Sequence, residues 1–198
     1  SYLMDYILKS KGLKSDHVRI ESWPIVTDDN FEAATFLFDD SRKVVAYLKE
    51  LIEKNEIVTL GGFVGKTVDG IETTYERGGS DRTAADVAIL LNDCYDTELD
   101  FEKDNAVLSA DPKIVKQDLD YVNNLSYNEA KLAGMFGMKI LDPVAIKEID
   151  DNGLDIPIVI TDMRSPSNLT RIVNHASEES ANYLKIVTGR KNCAIVRI

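Results

Sequence analysis

The order of elements between residues 57 and 91 constrains this chain most. Ile57-Val58-Thr59-Leu60 reads as a short buried strand and Gly61-Gly62 as the turn that ends it. Ala84-Ala85-Asp86-Val87-Ala88-Ile89-Leu90-Leu91 reads as a helix. That order points to an α/β sheet, whose ligands sit beyond the carboxyl ends of the strands. Ahead of the helix stands Thr73-Thr74-Tyr75-Glu76-Arg77-Gly78-Gly79-Ser80-Asp81. Ser80 is expected to be the N-cap. The glycines allow positive φ and close approach of a ligand. Free N–H groups at the helix mouth, with the dipole behind them, favour an anion. Arg77 can clamp a carboxylate through two parallel hydrogen bonds. Together these groups suggest a pocket for a small acidic substrate or a phosphate.

The remaining pattern alternates strands and helices. A helix is expected over residues 1–11, closed by Gly12, then a strand at Val18-Arg19-Ile20-Glu21 and a Trp23-Pro24 turn. Val44, Val45, Leu48, Leu51 and Ile52 have a helical period over residues 42–54. Residues 98–101 read as a strand, and Ala110-Asp111-Pro112-Lys113 as a turn entering one helical turn. Ser126 with Glu129 fits a capping box for a helix ending at Gly137. Pro143 starts another helix, Asn152-Gly153 turns, and Ile156-Pro157-Ile158-Val159-Ile160 is an apolar strand. This alternation predicts an α/β chain with a mainly parallel sheet covered on both faces, a three-layer αβα sandwich. Residues 165–180 read as a polar linker and residues 183–198 as a hairpin of something else.

Composition narrows the function classes. Asp and Glu number 34 against 23 Lys and Arg, a net charge of −11. That charge opposes binding to nucleic acid or to anionic membrane. An anionic substrate would need a local positive cluster, for which Arg77, Lys113 and Lys139 are candidates. No stretch reaches the roughly 18 apolar residues of a membrane span, and no signal peptide is legible. Cys94 and Cys193 do not read as a disulfide framework, and with only His17 and His175 no metal site is expected. A reducing cytoplasm is the expected compartment. The chain opens on Ser1 inside an amphipathic pattern and stops inside Cys193-Ala194-Ile195-Val196-Arg197-Ile198, so both ends read as cuts within a longer protein.

Five ordered segments resemble the aspartate kinase branch of the amino acid kinase family. They are Gly61-Gly62-Phe63-Val64-Gly65, the string from Thr74 to Asp81 with Thr83-Ala84-Ala85, Ala110-Asp111-Pro112-Lys113, Leu125-Ser126-Tyr127-Asn128-Glu129-Ala130, and Gly137-Met138-Lys139-Ile140-Leu141-Asp142-Pro143. The resemblance implies a partial amino acid kinase fold. Residues 1–172 would be the C-terminal portion of the catalytic domain, and residues 173–198 a linker and the start of an ACT-like regulatory domain. It also implies a homodimer in lysine and threonine biosynthesis.

The implied reaction moves the γ-phosphoryl group of ATP, with Mg2+, to the side-chain carboxylate of L-aspartate, giving 4-phospho-L-aspartate. A carboxylate of pKa about 4 is already ionised at neutral pH. Positioning and fixed positive charge would then supply most of the catalysis. By the same resemblance Arg77 would hold an aspartate carboxylate, with Thr74, Gly79 and Ser80 as further substrate contacts. Asp81 would bind the substrate ammonium or orient lysines. Lys139 would reach the ATP phosphates, with Lys113 and Gly62 beside the nucleotide. No residue is assigned to a metal.

The chain departs from the family where a threonine-aspartate-valine-aspartate-glycine segment is replaced by Glu102-Lys103-Asp104-Asn105-Ala106. The family's lysine-phenylalanine-glycine-glycine phosphate loop is not in the chain, so the 198 residues alone are expected to be inactive. Two alternatives stay open: a non-catalytic amino-acid sensor, and an amino acid kinase with another acceptor such as glutamate. Each residue also has a plainer role: Asp81 as a first-turn carboxylate, Arg77 as a surface ion-pair partner, Lys139 against helix carbonyls, Lys113 solvated.

Overall fold

The computed structural model describes residues 1–175 and 184–189, and the chain forms two compact units, Ser1–Asp96 and Thr97–Ile198. In the first unit α1 (Tyr2–Ser10) leads to β1 (Ser15–His17), α2 (Phe38–Val44), α3 (Ala46–Lys54), β2 (Ile57–Thr59), β3 (Val64–Lys66), β4 (Glu72–Thr74) and α4 (Gly79–Leu91). β1 and β2 pair in parallel, and β3 and β4 form an antiparallel hairpin with Val64 opposite Thr74. Val18, Trp23, Ile25, Val45, Leu48, Leu51, Tyr75 and Leu90 make the core. The Trp23 indole N–H donates to the Val64 carbonyl at 2.8 Å, tying the core to the hairpin.

The first strand lies three residues earlier than the apolar pattern of residues 18–21 predicts, and Ile20–Ser22 is a 3-10 turn. Polar contacts fix that register. The Ser15 hydroxyl donates to buried Asp5 Oδ1 at 2.6 Å, and Lys9 donates to Asp5 Oδ2 at 2.8 Å. Burial pushes the Asp5 carboxyl up, but hydrogen bonds from Lys9, Ser15 and His17 outweigh it and hold it below its ordinary value.

The second unit holds β5 (Leu99–Lys103), β6 (Asn124–Ser126), α5 (Tyr127–Met135), α6 (Pro143–Asp151), β7 (Ile158–Asp162) and β8 (Leu169–Val173). Its sheet runs β5-β7-β8-β6. β5/β7 and β6/β8 are parallel, and β7/β8 are antiparallel. Ile158, Ile172 and Leu125 are fully buried, as are Ile146 and Ile149 of α6. The interior strand β8 replaces the linker expected over residues 165–180. Thr170 and Ile172 alternate inward while Leu169 and Arg171 stay exposed, the period of a strand buried on one face. The polar turn before it is held by Asp162 Oδ1, which accepts the Arg164 and Ser165 N–H groups. Most of residues 173–198, with the expected hairpin and regulatory start, lies outside the described residues. No helix among the described residues is long and apolar enough to cross a membrane.

The capping box forms as the sequence predicts. Ser126 Oγ accepts the Glu129 N–H at 3.2 Å, and Glu129 Oε2 accepts the Ser126 N–H at 2.7 Å. Burial pushes the Glu129 carboxyl up, but the Ser126 N–H and Lys185 outweigh it and hold it below its ordinary value. The stabilisation is therefore complete above the free glutamic acid value of about 4.3 and is lost as pH falls through the lowered folded value. Glu129→Gln is expected to lower stability at pH 7 by about 1 kcal/mol, the worth of a cap. Urea denaturation should show that difference closing on acidification; a difference independent of pH would contradict the assignment.

Candidate functional site

In the first unit β4 delivers the chain into the glycine loop and α4 carries it away. Gly78 adopts φ 85 and is the N-cap of α4, with its carbonyl accepting the Asp81 and Arg82 N–H groups at 2.9 and 3.2 Å. Ser80 is therefore not the cap. It lies in the first helical turn with its side chain exposed. The Gly79 N–H donates to the Glu76 carbonyl at 3.0 Å. Part of the helix mouth is thus satisfied internally, and an anion there would rely more on side chains than the sequence suggests. Asp81 is a half-buried first-turn carboxylate, well placed against the helix dipole.

Beneath the loop the packing is dense. A Cβ at Gly79 would fall 2.5 Å from Tyr75 Cβ and 2.7 Å from Phe63 Cδ2. Phe63 itself holds φ 78, uncommon for a residue with a side chain. Its N–H donates to Thr83 Oγ1 at 2.9 Å and its carbonyl accepts the Tyr75 N–H at 3.1 Å. Tyr75 is buried, donates to Asp86 Oδ2 at 2.5 Å, and stacks under the Arg82 guanidinium 4.5 Å from its ring centre. Sequence reasoning missed Phe63, Tyr75, Arg82 and Asp86 as supports of the loop. The one available signal was a helix carrying Arg82 and Asp86 one turn apart among apolar residues.

Gly62, expected beside a nucleotide, lies against Ser80: a Cβ there would fall 3.0 Å from Ser80 Cβ and Oγ. The Thr74 hydroxyl donates to the Phe31 carbonyl at 3.0 Å, so its proton is spent on backbone and its oxygen remains as an acceptor. Arg77 is exposed and, among the described residues, has no ion-pair partner. The plain reading of Arg77 as half of a surface ion pair is not realised.

Lys113 and Lys139 come together in the second unit. They line a cavity of about 330 Å³ with Lys103, Asp104, Asn105, Ala106, Asp111 and an apolar floor that includes Val107, Ile140 and Ile160. β5 brings in Lys103 at its carboxyl end. The Asp111 carboxylate accepts the Lys113 N–H at 2.8 Å and its carbonyl accepts from Ile114 and Val115, forming the expected turn. Val107 is fixed by its N–H to buried Thr170 Oγ1 at 2.9 Å, so the unexpected strand β8 braces the cavity. Lys139 follows the end of α5, whose carbonyls are already met by backbone: Met138 N–H to Ala133 O and Gly137 N–H to Gly134 O, both 3.0 Å. Capping does not require the Lys139 ammonium. Lys103 to Ala106 of the divergent segment thus contribute directly to the cavity wall.

Among the described residues one group of metal-type ligands converges, Asp5, Asp16 and His17. The Lys9 ammonium lies 2.8 Å from Asp5 and 3.7 Å from Asp16, so a protein cation meets that charge.

The sequence pattern of the amino acid kinase family matches residues 1–162. The chain is 25% identical over 198 residues to the bifunctional aspartokinase/homoserine dehydrogenase of Buchnera aphidicola, covering 100% of this chain and 23% of that protein. It is 32% identical over 117 residues to the aspartokinase of Helicobacter pylori, covering 59% of this chain and 27% of that protein. The crystal structure of E. coli aspartokinase III in complex with aspartate and ADP superposes with a TM-score of 0.75 at 24% identity, covering 89% of this chain and 38% of that chain. At that identity the likeness establishes the α/β fold they share. The chain spans only 23–27% of the length of these two curated relatives.

Proposed function

The chain belongs to the amino acid kinase family, and from that membership we propose that it is part of an aspartate kinase. The reaction would transfer the γ-phosphoryl group of ATP to the side-chain carboxylate of L-aspartate, giving 4-phospho-L-aspartate. One observation carries the reading: an exposed guanidinium without an ion-pair partner among the described residues, Arg77, on a loop whose backbone is locked by Gly78, Gly79 and Phe63. A guanidinium carried on a locked loop, three residues before a serine, suits a small dicarboxylic acid. Arg77 would grip one carboxylate, Ser80 and the Gly79 backbone would contact the substrate, and Thr74 would accept from its ammonium group. Asp81 would offer a counter-charge to that ammonium.

The cavity of the second unit would take ATP. Its apolar floor suits a base and its lysines suit phosphates. Lys139 would act as a mobile point charge on the transferring phosphates, with Lys113 beside it. Mg2+ would travel with the nucleotide. The cavity offers Asp104 and Asp111 as oxygen donors of the type a hard cation accepts. The proposal extends to a cytoplasmic homodimer in lysine and threonine biosynthesis.

The test is ATP-dependent formation of an acyl phosphate by the gene-encoded polypeptide, trapped with hydroxylamine. Product with L-aspartate and none with L-glutamate is expected; the reverse would move the assignment to another acceptor. Lys139→Ala is expected to weaken ATP binding about tenfold while leaving aspartate binding unchanged. Fluorescence titration with an ATP analogue checks this, and wild-type affinity would remove Lys139 from the site. The altered segment 102–106 motivates a second reading, a sensor that binds aspartate and no nucleotide. Absence of any ATP affinity beside clear aspartate binding would favour it.

A further inference from the structure

We propose that residues 184–188 act as a strap that positions both lysine-bearing loops of the cavity in the second unit, with Val187 and Thr188 as positioning residues for nucleotide binding. The proposal rests on the nucleotide reading of that cavity. Lys113 and Lys139 reach the cavity on two loops far apart in the chain, one running on from Ser109-Ala110 and the other from Phe136 at the end of α5. A single stretch, Leu184-Lys185-Ile186-Val187-Thr188, holds both roots. The Val187 N–H donates to the Ser109 carbonyl at 2.8 Å, and Val187 pairs in parallel with Ala110. The Thr188 hydroxyl donates to the Phe136 carbonyl at 3.2 Å. Lys185 adds a further anchor, its ammonium donating to Glu129 Oε2 at 3.0 Å in the first turn of α5.

Each root stands only a few residues from its lysine. Asp111, which follows Ala110, accepts the Lys113 N–H with its carboxylate at 2.8 Å, so the turn passes the position of Ala110 on to Lys113. Gly137 and Met138 fold back on α5 through their N–H groups, both at 3.0 Å, so Lys139 leaves from a point fixed by Phe136 and the helix end. The two strap bonds come from consecutive residues, Val187 and Thr188, so the roots cannot drift apart without breaking one of them. A polyphosphate needs its cations at a set spacing, and ordering two separate loops at the moment of binding would cost affinity. Holding both roots from one segment moves that ordering into folding. The Ser109 N–H also donates to the Asp120 carbonyl at 2.9 Å, so loss of the strap loosens this loop without unfolding it. Val187 and Thr188 stand outside the cavity lining, so they act through Lys113 and Lys139.

The experiment is fluorescence titration of the gene-encoded polypeptide with an ATP analogue in the presence of Mg2+, joined to amide hydrogen exchange. Thr188→Val, which keeps the shape and removes the donor, is expected to weaken nucleotide binding about three- to tenfold, the worth of one hydrogen bond. Thr188→Ser, which keeps the hydroxyl, is expected to bind as the wild type does. Val187→Pro removes the other donor and is expected to lose about tenfold. Affinity for L-aspartate, which reads the first unit, is expected to stay unchanged in each variant. The distinguishing readout crosses from one root to the other. In Thr188→Val the Ile114 and Val115 amides, which donate to the Asp111 carbonyl, are expected to exchange faster, although Thr188 bonds to the other root. Circular dichroism checks folding, and Thr188→Val with its exchange pattern suffices if the proline variant does not fold. Exchange changes confined to residues 136–139, unchanged nucleotide affinity in folded variants, or an equal loss of aspartate affinity would overturn the strap and leave the nucleotide reading standing. A wild type that binds no nucleotide would overturn the nucleotide reading, and with it the strap's part in binding.

Discussion

Arg77→Ala is expected to weaken L-aspartate binding about 100-fold while leaving ATP affinity and folding stability unchanged. A guanidinium grips a carboxylate through two parallel charge-assisted hydrogen bonds. A hydrogen bond to a charged group is worth about 1.5–3 kcal/mol net, so losing both, taken at the low end for an exposed side chain, amounts to about 3 kcal/mol, or about 100-fold. Stability is spared because Arg77 is exposed and has no ion-pair partner among the described residues. A surface change of that kind moves stability by no more than about 0.5 kcal/mol. Arg77→Lys should recover part of the charge but not the forked geometry, and so only part of the affinity. Calorimetry with aspartate decides. An unchanged dissociation constant in Arg77→Ala would take the guanidinium out of the site.

The second large effect is structural. Gly79→Ala is expected to cost about 1–3 kcal/mol and to abolish aspartate binding, because overpacking of this kind forces backbone shifts. The clash is with Tyr75 Cβ at 2.5 Å, an atom tied to its own backbone, rather than with the end of a flexible side chain. Tyr75 cannot step aside, since it is buried and hydrogen bonded to Asp86. Gly61→Ala is the control: its Cβ would meet Trp23 at an ordinary 3.5 Å. Thermal unfolding of both variants tests the claim. Equal stability in the two would show that the loop is not locked as described.

Local signals predicted well where a side chain and its backbone partner lie within one turn. Ser126 and Glu129 are three residues apart, and their reciprocal bonds form as read. Gly12 and Gly137 end their helices with positive φ for the same reason. Signals failed where a distant group decides. Ser80 is an intrinsically good cap, yet Gly78 takes the role because the tight turn after Tyr75 needs φ 85 there. The strand at residues 15–17 is set by Asp5 in α1, which no window around Val18 contains. β8 was hidden because its alternation is only five residues long and follows a polar turn.

The candidate site was legible in its exposed parts and not in its supports. Arg77, Ser80, Lys113 and Lys139 stand out as charged or hydroxylated residues beside turns. Lys103 does not, because on sequence it is one more lysine in an atypical segment, and only β5 carries it to the cavity wall. Phe63 and Thr83, twenty residues apart, meet through a single N–H bond that fixes the floor of the loop.

The most direct test of the central claim, a guanidinium loop built for one small dicarboxylic acid, is calorimetric titration of the chain with L-aspartate and, separately, with L-glutamate. A saturable heat with aspartate, and affinity for glutamate at least about tenfold weaker, is the predicted result, since one added methylene misplaces the second carboxylate. Equal or tighter binding of glutamate, or no binding of aspartate at all, would contradict it.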